Sequence, residues 1–338
     1  YFVMTLDEFE KMPVVFGCMS VAGIALIGIP PLTGFISKWK IATAAVDAYQ
    51  KGNRLAPYLI LILVLSAFLT AIYIFTILGK AYLVEPTNDD GKTNCDPGWQ
   101  MKVPMVLFAI LIIVFGLYSK PLMTFFTWVA NGLVNLFSVF FLMITIVSSI
   151  VTLCSLPQQF RVSTHNKRFL FFYLLTIVAT VEFFLSGTNL MKQFCFFEIM
   201  TLASFAYVPN DESEYAKKAS FSYLAYGIAG GLVMLYGLML LYYTFSSWDL
   251  TSIRMAWQFN RNDPGVQRNL YIAGACLLFG YGAKAGMFPF HTWLPDTYTA
   301  APPVGTTLLS SLLSKTGIYG TMLITITLFE ADRSWNVT

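Results

Sequence analysis

Five ionisable side chains lie within segments that are otherwise apolar. They are Lys38, Glu182, Glu198, Lys284 and Lys315. A charged side chain at the centre of a membrane helix costs about 2.5–3.5 kcal/mol, so it persists where it is paired, hydrated or functional. Burial favours the neutral form of a lysine and a nearby ionised glutamate favours the ammonium form, so small changes in hydration or distance can move a proton. These residue types therefore predict a proton relay.

Prolines interrupt the segment that carries Lys284. Pro289 removes the helical hydrogen bond to the carbonyl of Ala285, and Pro295 does the same to the carbonyl of His291. Broken helix at bilayer depth persists only where protein or water satisfies the freed carbonyls. We therefore predict helix breaks at both prolines, with a hydrated path beside the lysine.

A second pair of prolines precedes Lys38 in the stretch GIPPLTGFISKWK. Pro30 and Pro31 free the carbonyls of Leu26 and Ile27 a few residues before this lysine. An interrupted helix beside a lysine thus occurs twice in the chain. Interrupted helices line ion paths in many transporters, which favours the same interpretation at both places.

A histidine follows the second of these lysines. His291 lies seven residues after Lys284, which corresponds to about two turns if the helix continues. An imidazole titrates near neutral pH and is suited to carrying a proton. We predict that His291 connects Lys284 with Lys315.

Each of these residues also has a purely structural interpretation. Glu182 alternatively lies at the membrane interface near a helix end, and Lys38 and Lys40 alternatively extend from a helix end towards water. Lys284 and Glu198 alternatively form a buried ion pair that only specifies packing. These alternatives stay open at the level of the sequence.

Composition places the chain among polytopic membrane proteins. It has 338 residues, of which 57% are hydrophobic and 12% charged, and its mean hydropathy is +0.65. The net charge of +3 is spread along the loops without a basic tract, which argues against nucleic-acid binding. The five cysteines form no CxxC pair, so the sequence predicts no zinc or iron–sulfur site, and we expect no cofactor.

Apolar segments long enough to cross a bilayer recur along the chain. We predict an all-α protein with about ten transmembrane helices, at 12–29, 32–50, 56–83, 101–118, 132–156, 168–187, 189–208, 219–245, 268–294 and 301–328. Hydrophilic loops are predicted at 85–102 and 246–268. The GIAGG stretch at 227–231 indicates close helix packing rather than a phosphate loop. The chain has no initiator Met, and we expect it to be a fragment.

Four motifs resemble the antiporter-like, proton-translocating subunits of respiratory complex I, a family shared with Mrp-type antiporters and membrane-bound hydrogenases. FFEIM, with Glu198, resembles the fifth-helix glutamate motif of that family. KAGMFPFHTWLPDTYTAAP, with Lys284, resembles the seventh-helix lysine segment, and LLSKTGIYG, with Lys315, the eighth-helix lysine segment. GIPPLTGFISKWK is similar to the interrupted twelfth helix, and its Lys38 is closer to Mrp and hydrogenase members than to complex I subunits that carry glutamate there.

The order of these motifs departs from the family, because the segment similar to the twelfth helix comes first. The resemblance implies that residues 1–126 correspond to the eleventh to fourteenth helices of one antiporter-like unit. Residues 132–338 would then correspond to the third to eighth helices of the next unit. The alternative is a single permuted unit in which Lys38 and Lys315 close one path.

The resemblance implies proton translocation by a redox-driven respiratory complex of the NADH:quinone oxidoreductase or hydrogenase type. Lys284 and Lys315 would be the main carriers, Glu198 would modulate Lys284, and Lys38 would be the exit-side lysine of its own unit. The implied partners are membrane and peripheral subunits of a large complex, membrane lipids, and protons or sodium ions. An Mrp-type Na⁺/H⁺ antiporter subunit and a structural membrane anchor are the alternatives. The implied location is a bacterial or archaeal cell membrane or the mitochondrial inner membrane.

Overall fold

The described part of the chain is helical. A computed structural model describes residues 12–50, 56–83, 98–121, 123–124, 134–162, 166–210 and 213–329. Its regular elements there are α-helices, one 3₁₀ helix and one π-helix, with a single isolated β-bridge. The all-α prediction is confirmed. The chain divides into two compact units, the first within 1–128 and the second within 129–336.

The first unit contains four described helices that flank the proline pair. They are α1 Pro13–Ile27, α2 Thr33–Gln50, α3 Ala56–Leu83 and α4 Trp99–Leu117. Helix α1 packs against the other three. Two glycines let other backbone segments pack closely around the proline pair. A Cβ on Gly34 would overlap the carbonyl of Ala25, and a Cβ on Gly116 would overlap the carbonyl of Pro31. Of the predicted loop 85–102, residues 85–97 lie outside the described residues.

The second unit contains nine described α-helices. They are α5 Val134–Val162, α6 Asn166–Leu185, α7 Leu190–Tyr207, α8 Glu214–Phe245, α9 Leu250–Phe259, α10 Pro264–Ala285, α11 Trp293–Ala300, α12 Pro303–Leu308 and α13 Ser314–Phe329. A 3₁₀ turn, Phe290–Thr292, precedes α11, and a π-helix, Leu309–Leu313, joins α12 to α13. Asn189 and Ser213 cap α7 and α8 by accepting backbone N–H groups, which explains where these two helices begin.

The core of the second unit is rich in aromatic side chains. The ring of Tyr319 on α13 packs edge-on against Phe141, Phe183 and Phe184, with centroid distances of 5.4, 5.8 and 5.1 Å. Its hydroxyl shares a hydrogen bond of 2.6 Å with Ser138 on α5. These contacts join α5, α6 and α13 and hold the helix of Lys315 in place.

Several of these helices have the length and composition of membrane spans. Five described stretches meet that standard: Ala56–Gly79, Ser138–Pro157, Asn166–Leu185, Glu214–Phe245 and Pro264–Ala300. Many large apolar side chains on these stretches are exposed, among them Phe68, Ile150, Phe221 and Leu232. Such a surface is suited to lipid or to other membrane subunits.

The structure differs from the predicted loop 246–268, because α9 forms within it. Leu250, Ile253 and Trp257 recur at helical spacing and are fully buried, while Asp249 caps the helix. The helix has only ten residues and is flanked by charged and polar residues, so the sequence did not indicate it as a helix. A β-bridge between Asn189 and Asp249 ties this helix to the start of α7.

The carboxylate of Asp249 is the centre of a polar cluster outside the membrane-spanning helices. It accepts hydrogen bonds from the hydroxyls of Thr188 and Thr251 and from the backbone N–H and hydroxyl of Ser252. Partial burial alone would raise its pKa, but these hydrogen bonds outweigh burial and lower the pKa of Asp249 to about 2.

We expect Asp249→Ala to destabilise the second unit by about 1 kcal/mol, the usual cost of losing a helix cap. Because the folded pKa lies below the ordinary value of 3.8, the stabilisation is complete above about pH 4 and is lost as the pH falls towards about 2. Thermal unfolding in detergent across this range should show the difference between wild type and variant shrinking at low pH. A difference that stays constant down to pH 2 would contradict this account.

Candidate functional site

Lys284 lies in the last turn of α10 and is 6% exposed. Its Nζ donates to the carbonyl of Phe197 at 2.6 Å and to Oγ1 of Thr201 at 2.6 Å. The same nitrogen lies 3.8 Å from the centroid of the Phe197 ring. The lysine of α10 is therefore held by one turn of α7, through two oxygen acceptors and an aromatic face.

The two acceptors are themselves connected. Thr201 Oγ1 donates to the carbonyl of Phe197 at 2.8 Å, so it accepts from Lys284 and passes a hydrogen bond to the other acceptor. Thr201 is 1% exposed, and its hydroxyl therefore has little access to solvent. This closed triangle fixes the position of the amine.

Glu198 follows Phe197 on the same helix. Its carboxylate is near enough to Lys284 for their charges to interact. No nitrogen–oxygen distance between the two side chains is 4.0 Å or less, however, and Oε1 is buried without a hydrogen-bond partner in the described part of the chain. The predicted pair is thus adjacent, but the two groups form no direct ion pair in this conformation.

Glycines of α8 make room for these side chains. A Cβ on Gly231 would overlap the Glu198 carboxylate, and one on Gly227 would lie 2.6 Å from Cγ2 of Thr201. Gly230 faces α10, where a Cβ on it would lie 3.1 Å from that of Ala283. The predicted close packing of the GIAGG stretch is confirmed, and it sets the space available to the carboxylate.

The sequence predicts a helix break at Pro289, and α10 already ends four residues earlier, at Ala285. Gly286 adopts the left-handed conformation, with φ of 76°, which a glycine tolerates without strain. The carbonyl of Ala283 accepts a hydrogen bond from the indole N–H of Trp293 at 3.1 Å, and that of Gly282 accepts the backbone N–H of Met287 at 2.9 Å. Protein groups thus satisfy these terminal carbonyls.

The structure differs from the sequence-based expectation at Pro295 and His291. Pro295 is the third residue of α11, where its missing N–H belongs to the first turn and is not needed, so it interrupts no helix. His291 lies in the 3₁₀ turn and is exposed, beside the ring of Phe288 at 5.7 Å. Because the break at Gly286 changes the direction of the chain, the two-turn spacing from Lys284 does not carry over.

Lys315 lies at the start of α13, directly after the π-helix, and is partly exposed. No hydrogen bond or ion pair joins its amine to another described residue. Its helix packs closely against α10, because a Cβ on Gly317 would lie 2.6 Å from the backbone nitrogen of Ala285. The structure therefore brings the backbones beside Lys284 and Lys315 together.

Lys38 belongs to the first unit and is bonded to its proline break. Its Nζ donates to the carbonyls of Leu26 at 2.9 Å and Ile27 at 2.8 Å, the two carbonyls that the sequence predicts to be free. Helix α1 ends at Ile27, and Gly28 is left-handed, with φ of 88°. The lysine of α2 thus satisfies the broken end of α1 instead of extending into water, whereas Lys40 is exposed.

Glu182 lies in the last turn of α6 and is partly exposed. Its carboxylate has no hydrogen-bond or ion-pair partner within the described residues. This place near a helix end fits the interfacial alternative, and the structure does not join Glu182 to the lysines.

Sequence reasoning missed the neutral groups that hold Lys284, namely Thr201 and Trp293. Threonine and tryptophan are common in membrane helices, so their types alone carry no signal. The one available signal is spacing, because Thr201 lies three residues after Glu198 and therefore on the same face of α7.

A cavity of about 10 Å³, near the lower limit for one water, adjoins Lys284, Thr201 and Tyr223.

These features define a helical membrane protein that keeps a lysine and a carboxylate in its interior, beside an interrupted helix. The chain belongs to the family described as "NADH:quinone oxidoreductase/Mrp antiporter, TM", whose model matches residues 8–70 and 187–338. The predicted resemblance is thereby confirmed at the level of the family. The protein is an integral membrane protein.

Curated relatives include components of three kinds of complex. The chain is 29% identical over 192 residues to NADH-quinone oxidoreductase subunit M of Rickettsia bellii, covering 56% of this chain and 37% of that protein. It is 26% identical over 189 residues to Hydrogenase-4 component B of Escherichia coli, covering 55% and 27%. It is 26% identical over 204 residues to a Na(+)/H(+) antiporter subunit of Alkalihalophilus pseudofirmus, covering 60% and 40%. The chain therefore spans well under half the length of these relatives.

We expect Gly231→Ala to displace the carboxylate of Glu198, because the added methyl group would occupy the same space. A cryo-EM structure of the variant should show the carboxylate moved, with the bonds of Lys284 to α7 retained. Gly79→Ala is the control, since nothing lies within 4 Å of the Cβ that it would add to a helix away from the site. A carboxylate that keeps its position in Gly231→Ala would contradict this assignment.

Replacing Lys38 with Met should lower the thermal stability of the first unit, because the carbonyls of Leu26 and Ile27 lose their donor. We expect a loss of about 1.5–3 kcal/mol, the usual contribution of hydrogen bonds that involve a charged group. Unfolding in detergent measures it, with Lys40→Met as the control that removes an exposed lysine two residues away. Equal losses in both variants would show that the two hydrogen bonds contribute nothing.

Proposed function

We propose that this chain is a proton-translocating membrane subunit of a redox-driven respiratory complex of the NADH:quinone oxidoreductase or hydrogenase type. The observation that carries this proposal is the buried amine of Lys284, which has two neutral acceptors and a carboxylate nearby but not in contact. An intramembrane charge is costly, and a purely structural charge would be expected to form a direct ion pair. The redox partners are inferred from the names of the relatives.

The geometry suits both protonation states of Lys284. A neutral amine has two N–H donors and one lone pair, and the carbonyl of Phe197 and the hydroxyl of Thr201 take both donors. In the ammonium form the third N–H has the Phe197 ring at 3.8 Å and the field of Glu198. The amine can therefore gain or lose a proton without repacking its surroundings.

In this proposal Glu198 controls the protonation state of Lys284. While it is ionised and near, it stabilises the ammonium form; when it moves away, is hydrated or is protonated, Lys284 releases its proton. The unpartnered Oε1 and the fitted space at Gly231 mean that small shifts of α7 against α8 alter this interaction. A driving subunit would act by such shifts.

Lys315 is the proposed acceptor of the proton from Lys284. The two helices meet where Gly317 packs against Ala285, and the amine of Lys315 has no partner among the described residues that would have to be displaced. The break after α10, with Pro289 in it, is the proposed place where water enters between them. The exposed position of His291 does not support a role in this transfer.

We further propose that the chain contains parts of two antiporter-like units. Residues 1–126 would correspond to the C-terminal helices of one and 132–338 to the third to eighth helices of the next. The two compact units, and the two separate stretches matched by the family model, support this division. Lys38, held at the break formed by Pro30 and Pro31, would be the exit-side lysine of the first.

The proposed partners are the other membrane subunits and the peripheral subunits of such a complex, with lipids on the remaining surface. An Mrp-type Na⁺/H⁺ antiporter subunit is the second candidate, favoured by the similarity to the Alkalihalophilus pseudofirmus antiporter and by a lysine at position 38. It differs in being driven by an ion gradient, without electron transfer. A structural anchor is the third and predicts no transport.

The test is proton translocation by the purified complex in sealed vesicles, energised with NADH and a soluble quinone or, separately, with a sodium pulse. We expect Lys284→Met to abolish translocation at matched assembly, because methionine keeps the volume but cannot bind a proton. Lys192→Met, which removes an exposed lysine at the start of α7, is the matched control and should pump as wild type does.

Other outcomes separate the alternatives. Proton movement that follows the sodium pulse and needs no electron donor would identify the antiporter. Unchanged pumping per complex in Lys284→Met, with reduced assembly, would identify the anchor and overturn the relay.

A further inference from the structure

We infer that a ladder of buried hydroxyl groups conducts protons between Lys284 and the segment that carries Lys315. This hydroxyl ladder consists of Thr201, Ser204, Tyr223, Tyr207, Tyr298 and Ser314. The inference rests on the proposed function and assigns its connecting residues, in the place where sequence reasoning put His291.

The first part of the ladder begins at the lysine. Thr201 Oγ1 accepts from Lys284 at 2.6 Å. One turn further along α7 the hydroxyl of Ser204 donates to the backbone carbonyl of Thr201 at 2.9 Å, which orients Ser204 but passes no proton between the two hydroxyls. Ser204 shares a hydrogen bond of 2.6 Å with the hydroxyl of Tyr223 on α8. Ser204 is 0% exposed and Tyr223 2%. The proposed link between the lysine end and Tyr223 is a water in the cavity of about 10 Å³ that Lys284, Thr201 and Tyr223 line.

The last part of the ladder ends beside Lys315. The hydroxyl of Tyr298 on α11 lies 3.0 Å from that of Ser314, the residue before Lys315. Ser314 follows the π-helix, and π-turns inside α-helices often occur at functional sites. Within that turn the buried hydroxyl of Ser311 has no hydrogen-bond partner in the described chain, which leaves a position for water.

Tyr207 is the proposed middle residue of the hydroxyl ladder. It is 1% exposed, and its hydroxyl has no hydrogen-bond partner among the described residues. Its ring lies edge-on to Phe169 at 5.7 Å and against Gly305 of α12, whose Cβ would come within 3.1 Å. Tyr223 and Tyr298 lie close enough to interact electrostatically with its phenol group.

A single indole also joins the two parts. Tyr223 and Tyr298 pack against Trp293, at centroid distances of 5.0 and 6.4 Å. Trp293 is fixed in turn by its bond to the carbonyl of Ala283, next to Lys284. A buried, unpartnered hydroxyl such as that of Tyr207 usually binds an internal water. Water at this position would complete the ladder.

Transfer along the ladder needs no chemical change in it. Each hydroxyl accepts a proton on its oxygen as it passes its own proton to the next acceptor, and rotation of the O–H bond then restores the starting state. One proton leaves Lys284, one is released at Ser314 in the segment that carries Lys315, and no electrons move. Tyrosine, serine and threonine suit this role because each hydroxyl both donates and accepts.

The decisive experiment compares single-oxygen deletions in the same complex and vesicles. Ser204→Ala and Tyr207→Phe should each lower the rate of proton translocation about tenfold, the effect expected when the transfer barrier rises by one hydrogen bond. Ser220→Ala is the matched control, because this serine is 1% exposed and, within the described part of the chain, its hydroxyl bonds only to the carbonyl of Lys217 on its own helix. Ser204→Thr, which keeps the hydroxyl, should restore pumping.

The outcomes distinguish the ladder from the relay as a whole. Wild-type rates in both Ser204→Ala and Tyr207→Phe, with Lys284→Met inactive, would overturn the ladder and leave the proposed function standing. Wild-type rates in Lys284→Met as well would overturn both. If Ser204→Ala fails to assemble, Tyr207→Phe decides, since it removes an oxygen that has no hydrogen-bond partner among the described residues. A cryo-EM map should also show a water within hydrogen-bonding distance of the Tyr207 hydroxyl, and an empty site would contradict the ladder.

Discussion

The constraint on which the second unit depends is the presence of a lysine amine inside an apolar helical core. Lys284 is 6% exposed, so its donors depend on protein acceptors, and one turn of α7 supplies them through Phe197 and Thr201. Glu198 on the same turn adds a carboxylate that forms no direct ion pair with Lys284, and Gly231 of α8 leaves the space for this carboxylate. The site therefore results from how three helices pack, rather than from any one motif.

The two units treat the end of a broken helix differently, and this difference decides what each lysine can do. In the first unit Lys38 itself donates to the carbonyls at the break, so its amine is committed to holding the backbone. In the second unit Trp293 donates to the carbonyl of Ala283. Lys284 lies next to that carbonyl but is not required there, and its amine is free to reach across to α7.

Much of this was predictable from the sequence, where the reasoning depended on local chemistry. Apolar length predicts the helices, and the missing N–H of proline predicts which carbonyls of α1 are free, as Leu26 and Ile27 show. The partners of Lys284 were not predictable in this way, because Thr201 lies 83 positions away and meets the lysine only after α7 and α10 pack. Helix α9 was missed because it has only ten residues and lies between charged and polar residues, so a search for apolar segments of membrane-spanning length passes over it.

The displacement of His291 shows why a periodicity argument fails beyond a break. Seven residues place two side chains on one face only while the helix continues, and the left-handed Gly286 ends that continuity. The sequence therefore predicted a proton carrier at His291, whereas this side chain is exposed in the structure. In the ladder that we propose, hydroxyl groups take the place of His291; they carry no charge and so avoid the desolvation cost of a buried ion. A path built from such groups can remain in place at low energy while the lysines alone change charge.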